Sequence, residues 1–208
     1  MEKFFKTSSI VDLPLELPEA AVWSRLGRNR FLSNISSAEE QKLKLAMHRA
    51  LVCCRPRGRW RLLKISAIDQ QRVLLGDDWM IESTAFASFA AQGNYLLLGA
   101  VTAGGKIADL INKTALLADQ AVFDAVGSEC ADQAIGNLFR IAAVELQRFS
   151  LRVIERRFSP GYGGVELAVQ RRIFELLELG ALGMTLTDSC IMQPEKSVTA
   201  FAPVLSVN

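Results

Sequence analysis

The chain has 208 residues, half of them hydrophobic, and a formal net charge of +2. That is enough apolar material for one domain with a sizeable core. The interspersed charges argue against strong attraction to nucleic acid or an anionic membrane surface. The longest apolar run, Tyr95 to Ala103, suits a buried strand and is too short to cross a bilayer. The first residues hold neither a long apolar stretch nor a small-residue cleavage site, so no signal peptide is read. Cys53, Cys54, Cys130 and Cys190 form no CxxC pair. Free buried thiols in a reducing cytoplasm are expected.

In chain order, Pro14, Pro18 and alternating apolar positions predict an extended arm or edge strand over the first 18 residues. A short helix follows, opened by Pro18 and ended by Gly27. Residues 1–35 are thus read as an arm and a short helix, and 36–208 as the body of one compact domain. Ser36-Ser37-Ala38-Glu39-Glu40 is a capping box in either register. Leu43, Ala46, Met47, Ala50 and Leu51 then predict a helix over 37–54, closed by Pro56 and Gly58. Trp60 to Ile68, Arg72 to Leu75 and Asn94 to Thr102 read as strands. A helix is expected over 83–91, and Gly104-Gly105 reads as a turn. The strongest element is a helix over 119–149, with Asp119 as its expected cap. Thirty residues of helix span roughly 45 Å, so it should be the spine on which the sheet packs. Its small residues Gly127, Ser128, Ala131 and Ala134 predict a close approach on that face. A second helix over 165–180 and a hairpin of 184–192 with 197–204, turning at Pro194-Glu195-Lys196, complete the reading. The fold class is α+β, a twisted antiparallel sheet packed against long helices.

Candidates for acid–base, nucleophilic or metal chemistry are few. His48 is the one histidine and sits mid-helix with no second ligand at metal-binding spacing. Gly104-Gly105-Lys106 lacks the first glycine of a phosphate loop, and no GxGxxG occurs. Neither a Ser-His-Asp or Cys-His arrangement nor a pair of carboxylates suggests itself. No catalytic residue and no metal ligand is therefore assigned.

The distinctive stretch is Arg157-Phe158-Ser159-Pro160-Gly161-Tyr162. Read alone, Arg156 and Arg157 end a helical region, where cations suit the helix dipole, and Pro160-Gly161 is an ordinary turn. Downstream stand Thr187-Asp188-Ser189 and Pro194-Glu195-Lys196-Ser197-Val198. With Arg157-x-x-x-Gly161-Tyr162, these segments resemble the activation domain of cobalamin-dependent methionine synthase. That family binds S-adenosylmethionine through an Arg-x-x-x-Gly-Tyr signature, followed by Thr-Glu-Ser and Pro-x-x-Ser-Val. Asp188 replaces the Glu here. The resemblance covers about 120–204, and residues 1–60 do not align with the family's further ligand contacts.

The resemblance implies an S-adenosylmethionine site at Arg157, Ser159, Gly161 and Tyr162. Asp132 falls where the family has an acidic helix residue touching the ligand. Thr187, Ser189 and Ser197 are candidates for the pocket rim. The chemistry is suitable: a guanidinium fork matches a carboxylate, a Pro-Gly turn exposes main chain to an adenine edge, and a tyrosine can cover the ligand. The implied function is reductive reactivation of an inactive cob(II)alamin held by a partner corrinoid methyltransferase, such as a methionine synthase lacking its own activation domain. A low-potential electron donor such as flavodoxin or ferredoxin would serve the reduction. The alternatives are a docking module whose ligand site has decayed, and an S-adenosylmethionine sensor.

Overall fold

The computed structural model describes residues 5–27 and 35–207. Its centre is β5 (Tyr95–Thr102), an eight-residue strand paired along its whole length on both sides. On one side lies β2 (Arg57–Ile68), antiparallel, with Arg57 opposite Thr102 and Lys64 opposite Tyr95. On the other lies β9 (Ser197–Ser206), also antiparallel, with Ser197 opposite Thr102. Beyond β2 come β3 (Arg72–Leu75) and β4 (Trp79–Glu82); beyond β9 comes β6 (Leu151–Val153). β1 (Ser8–Val11) pairs with the start of β2, making a seven-stranded antiparallel sheet. The turn between β2 and β3 is set by Asp69, whose carboxylate accepts from the Gln71 and Arg72 amides at 2.8 Å each.

Alternation along β5 divides the core. Leu96, Leu98 and Ala100 face α3 (Thr84–Ala90) and α6 (Gln170–Leu177), packing with Phe86, Ile173, Leu177 and Phe201. Leu97 and Val101 face the C-terminal half of α5 (Leu117–Gln147), packing with Ile135, Leu138, Phe139 and Leu146. With both faces covered, β5 reads as a continuous apolar run. Gly99 lies under α5, where an added Cβ would come within 2.3 Å of Phe139 Cε1. The close approach of helix to sheet thus depends on a residue without a side chain.

The N-terminal half of α5 packs on helices instead. Phe123, Val126 and Cys130 meet Val22 and Trp23 of α1 (Glu19–Arg25), Met47 and Ala50 of α2 (Ser37–Cys53), and Ile107 of α4 (Gly105–Lys113). Arg25 and Glu129 tie α1 to α5 at 2.6 Å. The fold class agrees with the sequence reading, and so do α1, α2, α3 and the main strands.

Several expectations need correction. Asp119 lies in the first turn of α5 but does not cap it; Leu116 is the N-cap and makes no side-chain bond. Arg156 and Arg157 end no helix, because α5 stops at Gln147 and β6 intervenes. The helix expected over 165–180 is one α-helical segment between two 3-10 turns, Leu167–Val169 and Leu179–Leu182. The hairpin of 184–192 with 197–204 does not form. β7 (Thr185–Leu186) pairs with β8 (Met192–Gln193) as a separate ribbon, while β9 is captured by the central strand. A ten-residue apolar strand gains more by burial on both faces of a sheet than by a two-stranded hairpin. The Gly104-Gly105 turn is the start of α4, whose Ile107, Leu110 and Ile111 have helical spacing.

Candidate functional site

Phe158 fixes the loop that carries the signature. It forms a bridge with Phe201 of β9, and its ring sits 5.2 Å from Phe86 and 5.3 Å from Phe89. With Phe158 turned into that core, its neighbour Arg157 reaches α5. There Arg157 Nη2 donates to Asp132 Oδ2 at 2.9 Å, and Nη1 to the Asp132 carbonyl at 3.2 Å. Two residues 25 positions apart, both implied by the family resemblance, thus stand as an ion pair. Their side chains are 37% and 56% exposed, so both charges are open to solvent.

After Pro160, which is buried, the chain turns through Gly161 with φ +87°, a conformation that favours glycine. The Gly161 amide donates to the Val165 carbonyl, and the Val165 amide to that of Tyr162, closing a tight loop. Ser83 Oγ donates to the Gly163 carbonyl at 2.6 Å and anchors the loop to the cap of α3. Ser159 is half-buried, and Tyr162 projects outward, 73% exposed.

Arg157 also lines a groove of about 480 Å³ between α5 and the end of β6 with the segment that follows. Its walls include Gly136, Phe139, Arg140 and Ala143 on one side, and Val153, Ile154, Glu155 and Arg156 on the other. That volume is in the range of small-molecule sites. Apolar side chains among charged ones, beside a paired cation and anion, suit a ligand with a charged end and a flat, less polar body.

The rim candidates fall elsewhere. Thr187 and Ser189 lie in the turn between β7 and β8, where their hydroxyls are 3.0 Å apart and the Ile191 amide donates to Thr187 Oγ1. Arg171 holds that turn through the Asp188 carbonyl. Ser197 is buried, and its hydroxyl donates to the Pro194 carbonyl at 2.6 Å. Among the described residues no hydrogen bond or ion pair joins these three to Arg157, Asp132 or Tyr162.

The sequence reading missed Lys196. Its ammonium meets Asp124 Oδ1 at 2.5 Å and Ser128 Oγ at 3.0 Å, fastening the turn before β9 to α5. Asp124, Ser128 and Asp132 recur every four residues, so one polar stripe of α5 receives both Lys196 and Arg157. That spacing was available in the sequence. The arm preceding α1 also reaches this region: the Glu16 amide donates to Gln133 Oε1, and Asn137 Nδ2 to the Pro14 carbonyl.

The cysteines supply no nucleophile at the site. All four are free; Cys54 and Cys130 are buried together, and their hydrogen bond, with burial, pushes the Cys54 thiol well above its ordinary value. Among the described residues no helix is long and apolar enough to cross a membrane.

No protein-family model matches the chain, and no curated protein matches it. Among solved structures it is similar to the MetH reactivation domain, crystallised with S-adenosylhomocysteine (AdoHcy), with a TM-score of 0.68 at 20% identity. The match covers 95% of this chain and 78% of that one. The two share an α+β fold with an antiparallel sheet and packed helices.

Proposed function

We propose that this chain is a relative of the methionine synthase activation domain, that it binds S-adenosylmethionine, and that it supports reductive methylation of an inactive cobalamin on a partner methyltransferase. The observation that carries this reading is the Asp132–Arg157 ion pair, on the shared fold and at the signature loop. The amino-acid end of S-adenosylmethionine is a zwitterion. Its carboxylate complements Arg157 and its ammonium complements Asp132, so the ligand exchanges partners with the existing pair without leaving a charge unmatched. The adenosine portion is assigned to the exposed main chain from Ser159 to Gly161, the Tyr162 ring and the adjoining groove.

The proposed reaction asks little acid–base work of the protein. A sulfonium methyl passes to a nucleophile and leaves a neutral thioether, so no proton need move. The reduced corrinoid of the partner supplies the nucleophile. This chain's residues orient the sulfonium and exclude water. The partner is proposed to be a methionine synthase without its own activation domain, served by a flavodoxin- or ferredoxin-like donor.

The test mixes this chain with a cob(II)alamin-loaded partner, S-adenosylmethionine and a low-potential reductant, and follows the corrinoid spectrum. The methylated spectrum is expected only when both the chain and S-adenosylmethionine are present. Equal rates without the chain would remove the activator role. Binding to the partner with no effect of S-adenosylmethionine would leave a docking module instead.

A further inference from the structure

We propose that the open edge of β6, with the groove beside it, docks an extended acidic segment of a partner protein by strand addition. β6 is the last strand of the main sheet and, among the described residues, pairs with β9 alone. Ser150 accepts from Val207, and the Ile154 amide donates to Pro203. By the alternation of an antiparallel ladder, Arg152 therefore turns its backbone toward β9, while Leu151 and Val153 turn their N–H and C=O groups to the open side. Such an edge is a template for another strand.

A groove of about 490 Å³ runs along this seam, lined by Ala143, Val144, Leu151, Arg152, Val153 and Val207, among others. It adjoins the groove lined by Arg157, since Ala143 and Val153 line both. Val144 is 62% exposed and Val207 47%, so apolar surface lies open beside unpaired backbone. Charge selects the occupant. From 140 to 156 the chain carries four arginines, at 140, 148, 152 and 156, against Glu145 and Glu155. An extended segment alternating apolar and acidic side chains places one set on the apolar seam and the other toward Arg152 and its neighbours. A nucleic acid would match the arginines but would leave both the apolar seam and the strand edge without a partner. This surface adjoins the groove assigned to the ligand, but its strand edge and Arg152 take no part in the ligand reading.

The probe is a short fluorescein-labelled peptide alternating Val and Glu, titrated into the full chain and followed by fluorescence anisotropy. Saturable binding is expected, weakened about tenfold or more by Arg152→Glu and abolished when alternate peptide amides are N-methylated. Arg152→Glu should bind S-adenosylmethionine as the parent does, which separates this site from the ligand site. In the unsubstituted chain the peptide should slow hydrogen exchange at the Leu151 and Val153 amides, a reading that stands even if the variant fails to fold. Equal binding of the N-methylated peptide, or of a Val-Lys peptide, would overturn the proposal. So would absence of binding, unchanged exchange at both amides, or displacement of the peptide by single-stranded RNA.

Discussion

Asp132 and Arg157 are both solvent-accessible, so the pair adds little to stability, about 0–1 kcal/mol. Either residue can therefore be changed with the fold intact. Asp132→Asn should weaken S-adenosylmethionine because it removes the charge facing the ammonium, whereas Asp132→Glu should hold or tighten it by longer reach. Equal affinities for all three in calorimetry would make Asp132 an ordinary surface residue. Gly99 is a residue of the opposite kind, fixed by space alone. Gly99→Ala sets a methyl against the buried Phe139 ring and should destabilise by about 1–3 kcal/mol, read from denaturant midpoints at unchanged slope.

Among the elements, α2 shows how far local sequence reaches. Ser36 Oγ accepts from the Glu39 amide, and the Glu39 carboxylate accepts from the Ser36 amide at 2.9 Å and hydroxyl at 2.7 Å. The Ser36 hydroxyl and then its backbone amide hold the Glu39 carboxyl below its ordinary value of 4.5. A depressed carboxyl stabilises the fold above its unfolded value, and that contribution disappears as pH falls through the folded one. Glu39→Gln should therefore melt slightly below the parent at neutral pH and together with it in strong acid. A gap that persists in acid would show that charge is not the cause. α2, announced by its capping box and periodicity, and α5, announced by periodicity alone, are legible in this way. α4 was overlooked because Gly104-Gly105 reads as a turn, although its Ile107, Leu110 and Ile111 carried the pattern. β9 was misassigned because local turn chemistry does not reveal that β5 would capture it. The site was half legible. Arg157, Gly161, Tyr162 and Asp132 were named from the family's motifs, but only the fold brings Arg157 onto α5 and keeps Thr187, Ser189 and Ser197 within their own turns. The groove floor was not legible, because Phe139, Ala143 and Val153 look like any core positions.

At the scale of the whole molecule, α5 joins two roles. At about 46 Å it spans the helical cluster and the sheet, and its polar stripe receives Lys196 and Arg157 from loops far apart in sequence. The candidate site assembled in this way is shallow and open, which suits the proposed delivery of a methyl group to a corrinoid on another protein. Its central claim is that Asp132 and Arg157 read a zwitterion. Calorimetric titration of S-adenosylmethionine and of 5′-methylthioadenosine, which lacks the amino-acid end, into the parent and Arg157→Ala tests this most directly. The account predicts that Arg157→Ala loses a charge-assisted bond of about 1.5–3 kcal/mol. It should then bind S-adenosylmethionine about tenfold to a hundredfold more weakly, with 5′-methylthioadenosine unaffected. Equal affinity of parent and variant for S-adenosylmethionine, or no binding by the parent at millimolar concentration, would contradict it.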